Sequence, residues 1–212
     1  MKTVVVENTP VSPGKIICVG RNYVAHIHEL GNDIPDEMVL FSKPNSAITN
    51  QLSASHNGDE LHYEAELAYL YQDGVFSAVA VGLDLTKREV QNKLKEKGLP
   101  WDRCKAFDGA ALFSPFVSIS PAVSSDALQE TPLGLTLHID GELTQSGTTD
   151  LMIYKPDVVL AEIQKFMTLE NGDIVMTGTP AGVGKINAGA VFSAAVVCGD
   201  HILTSVEWTA AA

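Results

Sequence analysis

The stretch Leu61-His62-Tyr63-Glu64-Ala65-Glu66-Leu67 constrains this chain more than any other. Leu61, Tyr63, Leu67 and Tyr69 suit a pleated, partly buried surface, so the stretch reads as a strand. Residues two apart on a strand share a face, which sets the Glu64 and Glu66 carboxylates side by side. Nothing basic within the stretch neutralises them. Buried together, two carboxylates repel until one takes up a proton. A hard divalent cation removes the conflict, and oxygen ligands favour magnesium, calcium or manganese over zinc. The plainer alternative is an exposed strand edge carrying two solvated glutamates, and the rest of the chain must decide.

Composition narrows the field. A chain of 212 residues suits one domain, residues 1–212, with a real core. No segment is long enough to cross a bilayer, and Glu7 cuts short the apolar run Val4 to Val6, so a signal peptide is not expected. Cys18, Cys104 and Cys198 are odd in number and far apart, matching neither a disulfide framework nor a zinc pattern. Buried thiols in a reducing cytoplasm are the expectation. The net charge of −12 argues against nucleic acid as a partner. An acidic protein that handles an anionic substrate must concentrate positive charge at a metal or at a few Lys and Arg side chains.

Along the chain, strand and turn signals dominate. Ile16 to Val19 reads as a buried strand, broken by Gly20-Arg21-Asn22-Tyr23. Asn22 is a plausible N-cap for a short helix through Leu30, with Gly31 as its stop. On that helix His26 and Glu29 stand three apart and face the same way. A carboxylate beside an imidazole fixes its tautomer and raises its basicity, which makes a general base; a surface pair of no consequence is the competing reading. Asn32 to Pro44 reads as a polar loop leading into the strand Val39-Leu40-Phe41. Asp73-Gly74 and Asp140-Gly141 are hairpin turns. The strand from Val79 ends on Asp84, at a junction with a helix that Thr86 and Glu89 open as a capping box and Gly98 closes. Lys105 lies in a loop among apolar neighbours. Val117 to Leu133 is polar and expected to be irregular. Pro156 begins a helix with Val159, Leu160, Ile163 and Phe166-Met167 on its apolar side. Gly178 to Gly184 lacks the spacing of a phosphate loop, but its backbone N–H groups and the Thr177 and Thr179 hydroxyls suit a carboxylate. Val191 to Cys198 and His201 to Trp208 form a closing hairpin.

Several of these stretches together resemble the fumarylacetoacetate hydrolase family, and especially its short acylpyruvate hydrolase branch. They are Cys18 to Tyr23 with His26 and Glu29, His62 to Leu67, Gly82 to Thr86 with Arg88 and Gln91, and Lys97 to Trp101 through Lys105. Thr168 to Asp173 and Thr177 to Gly184 complete the set, in the family's order. Leu151 and Gly189-Ala190 depart from frequent family residues. The resemblance implies an α+β, predominantly β fold, a mixed rolled sheet with a few short helices, in a homodimer. It also implies a Mg2+ or Mn2+ ion held by Glu64, Glu66 and Asp84. His26 and Glu29 match a water-activating dyad, and Lys105 matches a substrate-stabilising lysine. Arg21, Gln91 and Thr179 fall where the family contacts substrate.

The reaction expected on this basis is metal-dependent cleavage of a carbon–carbon bond in a 2,4-dioxo acid. An acylpyruvate such as acetylpyruvate or fumarylpyruvate would give pyruvate and a carboxylic acid, through an enolate stabilised by the metal and Lys105. Oxaloacetate decarboxylation and ketoenol isomerisation are alternatives that use the same enolate. A catalytically silent ligand-binding protein is the non-enzymatic alternative.

Overall fold

A computed structural model describes residues 1–119 and 131–212. The chain opens with the hairpin β1 (Val4–Val6) and β2 (Thr9–Val11), followed by β3 (Lys15–Gly20) and the helix α1 (Val24–Glu29). β4 (Val39–Pro44) returns beside β3. A small hairpin, β5 (Ser55–His56) and β6 (Asp59–Glu60), precedes β7 (His62–Tyr63), β8 (Ala65–Gln72) and β9 (Val75–Asp84). Helices α2 (Arg88–Glu96) and α3 (Asp102–Lys105) lead to β10 (Ala111–Phe113) and β11 (Val117–Ser118). Next come β12 (Leu133–Ile139), β13 (Glu142–Thr148), α4 (Pro156–Gln164), β14 (Ile174–Met176), β15 (Gly184–Lys185), β16 (Val191–Cys198) and β17 (His201–Thr209).

Most of these strands form two sheets, and the fold is predominantly β with few helices. The larger runs β10-β9-β8-β14-β3-β4, with β11 also on β9; the smaller runs β13-β12-β16-β17. Alternation along the strands of the larger sheet sorts its two faces. Ile16, Cys18, Ala68, Leu70, Ala80, Ile174 and Met176 share one apolar cluster. On the opposite face, Ile17, Val19 and Val175 pack under Val159 and Ile163 of α4. There too, Leu67, Val81 and Leu83 meet Leu135, Leu137, Phe192 and Val196 of the second sheet.

The larger sheet is curled, and one contact shows by how much. Lys43 on β4 and Asp84 on β9 are four strands apart in the sheet order. In a flat sheet at about 4.8 Å per strand they would stand about 19 Å apart. Lys43 Nζ instead lies 2.8 Å from Asp84 Oδ1, its side chain fully buried. Rolling brings the far strands together, and this buried gap is where the site forms.

Local expectations met mixed fates. The hairpin at Asp73-Gly74 has φ of 50° and 93°, the two positive values a tight I′ turn needs, and the closing hairpin pairs Cys198 with His201. The Leu61–Leu67 strand is interrupted at Glu64, between β7 and β8. Asn22 does not cap α1: its amide donates to the Tyr154 and Thr177 carbonyls at 2.9 and 2.8 Å and accepts from the Tyr154 N–H at 2.7 Å. No capping box opens α2, because the Thr86 hydroxyl donates to the Asp84 carbonyl and accepts from Lys105. Phe166 lies beyond the end of α4 and is 62 % exposed, since the apolar stripe ends with the helix at Gln164. Of the segment expected to be irregular between Val117 and Leu133, residues 120–130 lie outside the described residues; β11 and the start of β12 occupy its ends. All three cysteines are buried.

Candidate active site

Two neighbouring strands deliver three acids to one end of the curled sheet. Glu64 sits just before β8, Glu66 is the second residue of β8, and Asp84 closes β9. Register holds them together: Ala65 pairs with Leu83, and the Asp84 N–H donates to the Glu64 carbonyl at 2.9 Å. All three are buried, and one carboxylate oxygen from each lies within 4.8 Å of the others.

Cations surround the acids unequally. Lys105 Nζ donates to Glu64 Oε2 at 2.7 Å, to Asp84 Oδ2 at 2.6 Å and to Thr86 Oγ1 at 2.6 Å. Arg88 donates to the other oxygen of Glu64. Lys43 donates to the Lys105 carbonyl, which anchors the end of α3. Burial would raise the Glu64 carboxyl, but Lys105 and Arg88 overcome it and hold the group well below the usual carboxylate range. Glu66 lacks such partners. Its Oε2 accepts the Gly178 N–H at 2.7 Å, yet burial, Asp84 and Glu64 together push its carboxyl well above the ordinary range. Burial lowers the Lys105 ammonium, but Asp84 and Glu64 outweigh that and raise it.

The donor set fits a hard divalent cation. Asp84 Oδ1, although 2.8 Å from Lys43 Nζ, lacks hydrogen-bond alignment to any described residue, so a buried oxygen is left over. Glu66 must hold a proton or meet further positive charge. Three buried carboxylates with converging oxygens suit magnesium or manganese better than a site with nitrogen or sulfur ligands would.

Beside the acids stands the imidazole of His26. Its Nδ1 lies 3.1 Å from Glu29 Oε2, and Glu29 Oε1 accepts the Gly182 N–H at 2.8 Å. A carboxylate only accepts, so in the neutral ring Nδ1 carries the proton and the Nε2 lone pair is free. Arg21 closes another wall. Its φ of 57° is costly for a residue with a side chain, a strain found where geometry serves a site. Its Nη2 donates to Asn32 Oδ1 at 3.2 Å, while the buried Nε–H has no partner among the described residues.

Eight of the nine residues singled out in the sequence line one inner cavity of about 30 Å3: Arg21, His26, Glu64, Glu66, Asp84, Gln91, Lys105 and Thr179. Glu29 stands behind His26. The cavity has room for little more than a water or an ion. A groove of about 480 Å3 adjoins it across Phe41, Trp101 and Lys105, wide enough for an organic acid. Two side chains are already engaged: Gln91 Oε1 accepts from Arg88 at 2.6 Å, and the Thr179 hydroxyl donates to the Ala65 carbonyl at 2.8 Å.

Lys43 and the role of Arg88 escaped the sequence reading, as did Thr86 as a partner of Lys105. The available signal was parity: Val39, Phe41 and Lys43 share one face of a strand, which places a lysine where an apolar residue is expected.

Three buried carboxylates with a histidine–glutamate pair and a buried lysine, at one end of a curled mostly-β sheet, are the parts of an enzyme whose acids could hold a divalent cation. Residues 15–209 match the family model for the C-terminal domain of fumarylacetoacetate hydrolase, and the chain belongs to that family. Among its relatives, the oxaloacetate tautomerase YcgM of Escherichia coli is 41 % identical over 194 residues, covering 85 % of this chain and 86 % of its own. The mitochondrial oxaloacetate tautomerase FAHD1 of Arabidopsis thaliana is 38 % identical over 209 residues, covering 91 % of each. The crystal structure of fumarylpyruvate hydrolase from Pseudomonas aeruginosa with Mn2+ and pyruvate superimposes with a TM-score of 0.86 at 28 % identity, covering 99 % of this chain and 95 % of that one.

Proposed function

We propose that this chain interconverts the keto and enol forms of oxaloacetate, and that carbon–carbon cleavage of acylpyruvates is a second activity of the same site. The observation that carries the reading is His26, bonded through Nδ1 to Glu29, lining the same cavity as Lys105 and the three acids. Proton transfer at carbon needs a base and a means of holding enolate charge, and both are present. The tautomerase relatives, at 41 % and 38 % identity, favour isomerisation over the hydrolysis expected from the sequence. The fumarylpyruvate hydrolase neighbour supports the second activity.

Glu64, Glu66 and Asp84 would hold the cation, Mg2+ or Mn2+, which when bound supplies a Lewis acid for the oxygens of a 2-oxo acid. The Nε2 of His26 takes a proton from C3 of the keto acid, and Glu29 keeps the ring in the required tautomer and steadies the imidazolium. Negative charge then collects on the C2 oxygen, where the positive charge of the Lys105 ammonium stabilises it. Return of the proton to that oxygen completes the enol; the reverse order gives the ketone. The unpartnered Nε–H of Arg21 is available to a substrate carboxylate. For hydrolysis, the same His26 would activate water against the C4 carbonyl of an acylpyruvate.

The test is to supply enol-oxaloacetate and, in a separate reaction, acetylpyruvate, each with Mg2+ or Mn2+ or with EDTA, and to follow the loss of the enol and the release of pyruvate separately. Metal-dependent enol loss without pyruvate supports the tautomerase. Pyruvate with carbon dioxide would replace it by a decarboxylase, and pyruvate from acetylpyruvate alone would restore the hydrolase as the main activity.

A further inference from the structure

The three acids and the base are held by different parts of the chain, and something must keep those parts in register. The loop after β14 makes most of the connections. Its Thr177 N–H donates to the Leu67 carbonyl at 3.1 Å, its Gly178 N–H to Glu66, and its Gly182 N–H to Glu29. One loop therefore orients an acid of the triad and the carboxylate behind the base.

We infer that Gln145, on β13 of the second sheet, is the positioning residue that locks this loop to the acid-bearing strand. Its side chain is 1 % exposed and uses both ends of its amide. Oε1 accepts the Ala65 N–H at 3.0 Å; Nε2 donates to Thr179 Oγ1 and to the Pro180 carbonyl, both at 2.8 Å. Because an N–H only donates and a carbonyl only accepts, Ala65 and Pro180 dictate which way the amide points. Ala65 separates Glu64 from Glu66. Its N–H is taken by Gln145 and its carbonyl by Thr179, so the peptide between the two acids is fixed by side chains.

The neighbouring backbone leaves the loop no slack on that side. A Cβ on Gly182, whose φ is +102°, would meet the Thr144 carbonyl oxygen at 2.1 Å, and a Cβ on Gly147 would lie 2.8 Å from Pro180. Residues 144–147 of β13 are thus a wall against which the loop is seated, and Gln145 is its hydrogen-bonded fastening. Gln145 reaches no reacting group itself. It acts through Ala65 on Glu64 and Glu66, and through Thr179 and Pro180 on the stretch that ends in the Gly182–Glu29 bond.

The inference rests on reading Glu64, Glu66 and Asp84 as cation ligands, so its test includes two readouts besides turnover. Gln145→Met keeps the length and volume of the side chain and removes all three hydrogen bonds. Mn2+ binding is measured by titration calorimetry, and the His26 tautomer by nitrogen-15 NMR in EDTA. Loss of an outer partner weakens a metal site by about 10- to 100-fold, and that is the expected fall in Mn2+ affinity. The His26 ring, a single Nδ1–H tautomer in the parent, is expected to become a mixture. Asp173→Asn serves as a stability control: Asp173 binds the Gly14, Lys15 and Glu170 N–H groups away from the cavity, so its loss lowers Tm and leaves both readouts alone. If Gln145→Met lowers Tm as the control does and moves neither readout, Gln145 is only structural and the inference falls. Absent tautomerase activity in the parent, with both readouts shifted in the variant, would overturn the proposed reaction and support the positioning role.

Discussion

Replacing Lys105 by Met tests the electrostatic core of the site. The ammonium contacts Glu64 Oε2 at 2.7 Å and Asp84 Oδ2 at 2.6 Å, with all three groups buried. At an effective dielectric of about 20, each contact is worth about 6 kcal/mol before desolvation is subtracted. Removing one member of such a buried set leaves uncompensated charge and costs about 3–5 kcal/mol in measured cases. For a chain of this size that is a fall in Tm of roughly 6–20 °C in EDTA. Met fills the space, so the loss reports charge rather than a cavity. Mn2+ at 100 times its Kd stabilises any protein that binds it only when folded by about 2.7 kcal/mol. The cation also replaces the counter-charge that Lys105 supplied, so at one common Mn2+ concentration the variant should bind more tightly and gain more than the parent does. Thermal unfolding of both proteins, with EDTA and with excess Mn2+, gives the four values required. Equal gains in the two proteins, or a loss in EDTA below about 1 kcal/mol, would refute the idea that Lys105 and the cation serve the same carboxylates.

The two glutamates predict opposite pH effects in EDTA. Glu66, raised by burial, Asp84 and Glu64, keeps a proton in the fold that the unfolded chain has lost, so its contribution declines as pH rises above about 4.3. Glu64, where Lys105 and Arg88 overcome burial, contributes above that value and loses its contribution as pH falls below it. Glu66→Gln should abolish the high-pH decline in urea midpoints, and parallel curves for variant and parent would contradict the assignment. Glu29→Gln keeps an acceptor for the Gly182 N–H but no longer fixes the His26 tautomer; kcat should fall by about 10²-fold while calorimetry shows unchanged Mn2+ affinity. Asn22→Ala strands the Tyr154 N–H and the Tyr154 and Thr177 carbonyls, and urea unfolding should register a loss of about 3 kcal/mol.

What was legible in the sequence was local or chemical. Alternation and Asp-Gly turns announce the hairpins because a strand's period and a turn's backbone are written in a few adjacent residues. Glu64 and Glu66 stand out because paired acids on one strand face demand a counter-charge, while Asp84 joined them as a ligand only through the family resemblance. Side-chain hydrogen bonds across the fold were not legible. Thr86 and Asn22 have the right identity and position for caps, but the tertiary structure offers each a buried partner, and those bonds win. Lys43 was hidden for a geometric reason: its partner Asp84 is near only because the sheet rolls, and no pattern in the neighbourhood of Lys43 encodes the degree of curl. Gln145 was hidden likewise, since its three bonds span two sheets.

The parallel pairing of β3 with β14 fixes when the molecule can finish forming. Residues 16–18 align with residues 174–176, and the Lys15 N–H bonds the Asp173 carboxylate 158 positions away. A chain emerging from the ribosome at about 5–20 residues per second must therefore carry β3 with one edge open until most of its length has been made. The loop bearing Gly178 and Gly182 follows β14 directly, so the acids and the base receive their last supports at that same late moment. Nascent chains that lack β14 would present an unpaired strand edge, a template for pairing with the wrong strand. Placing the clamp of the site after the last strand of its sheet means that the site is assembled only once that sheet is.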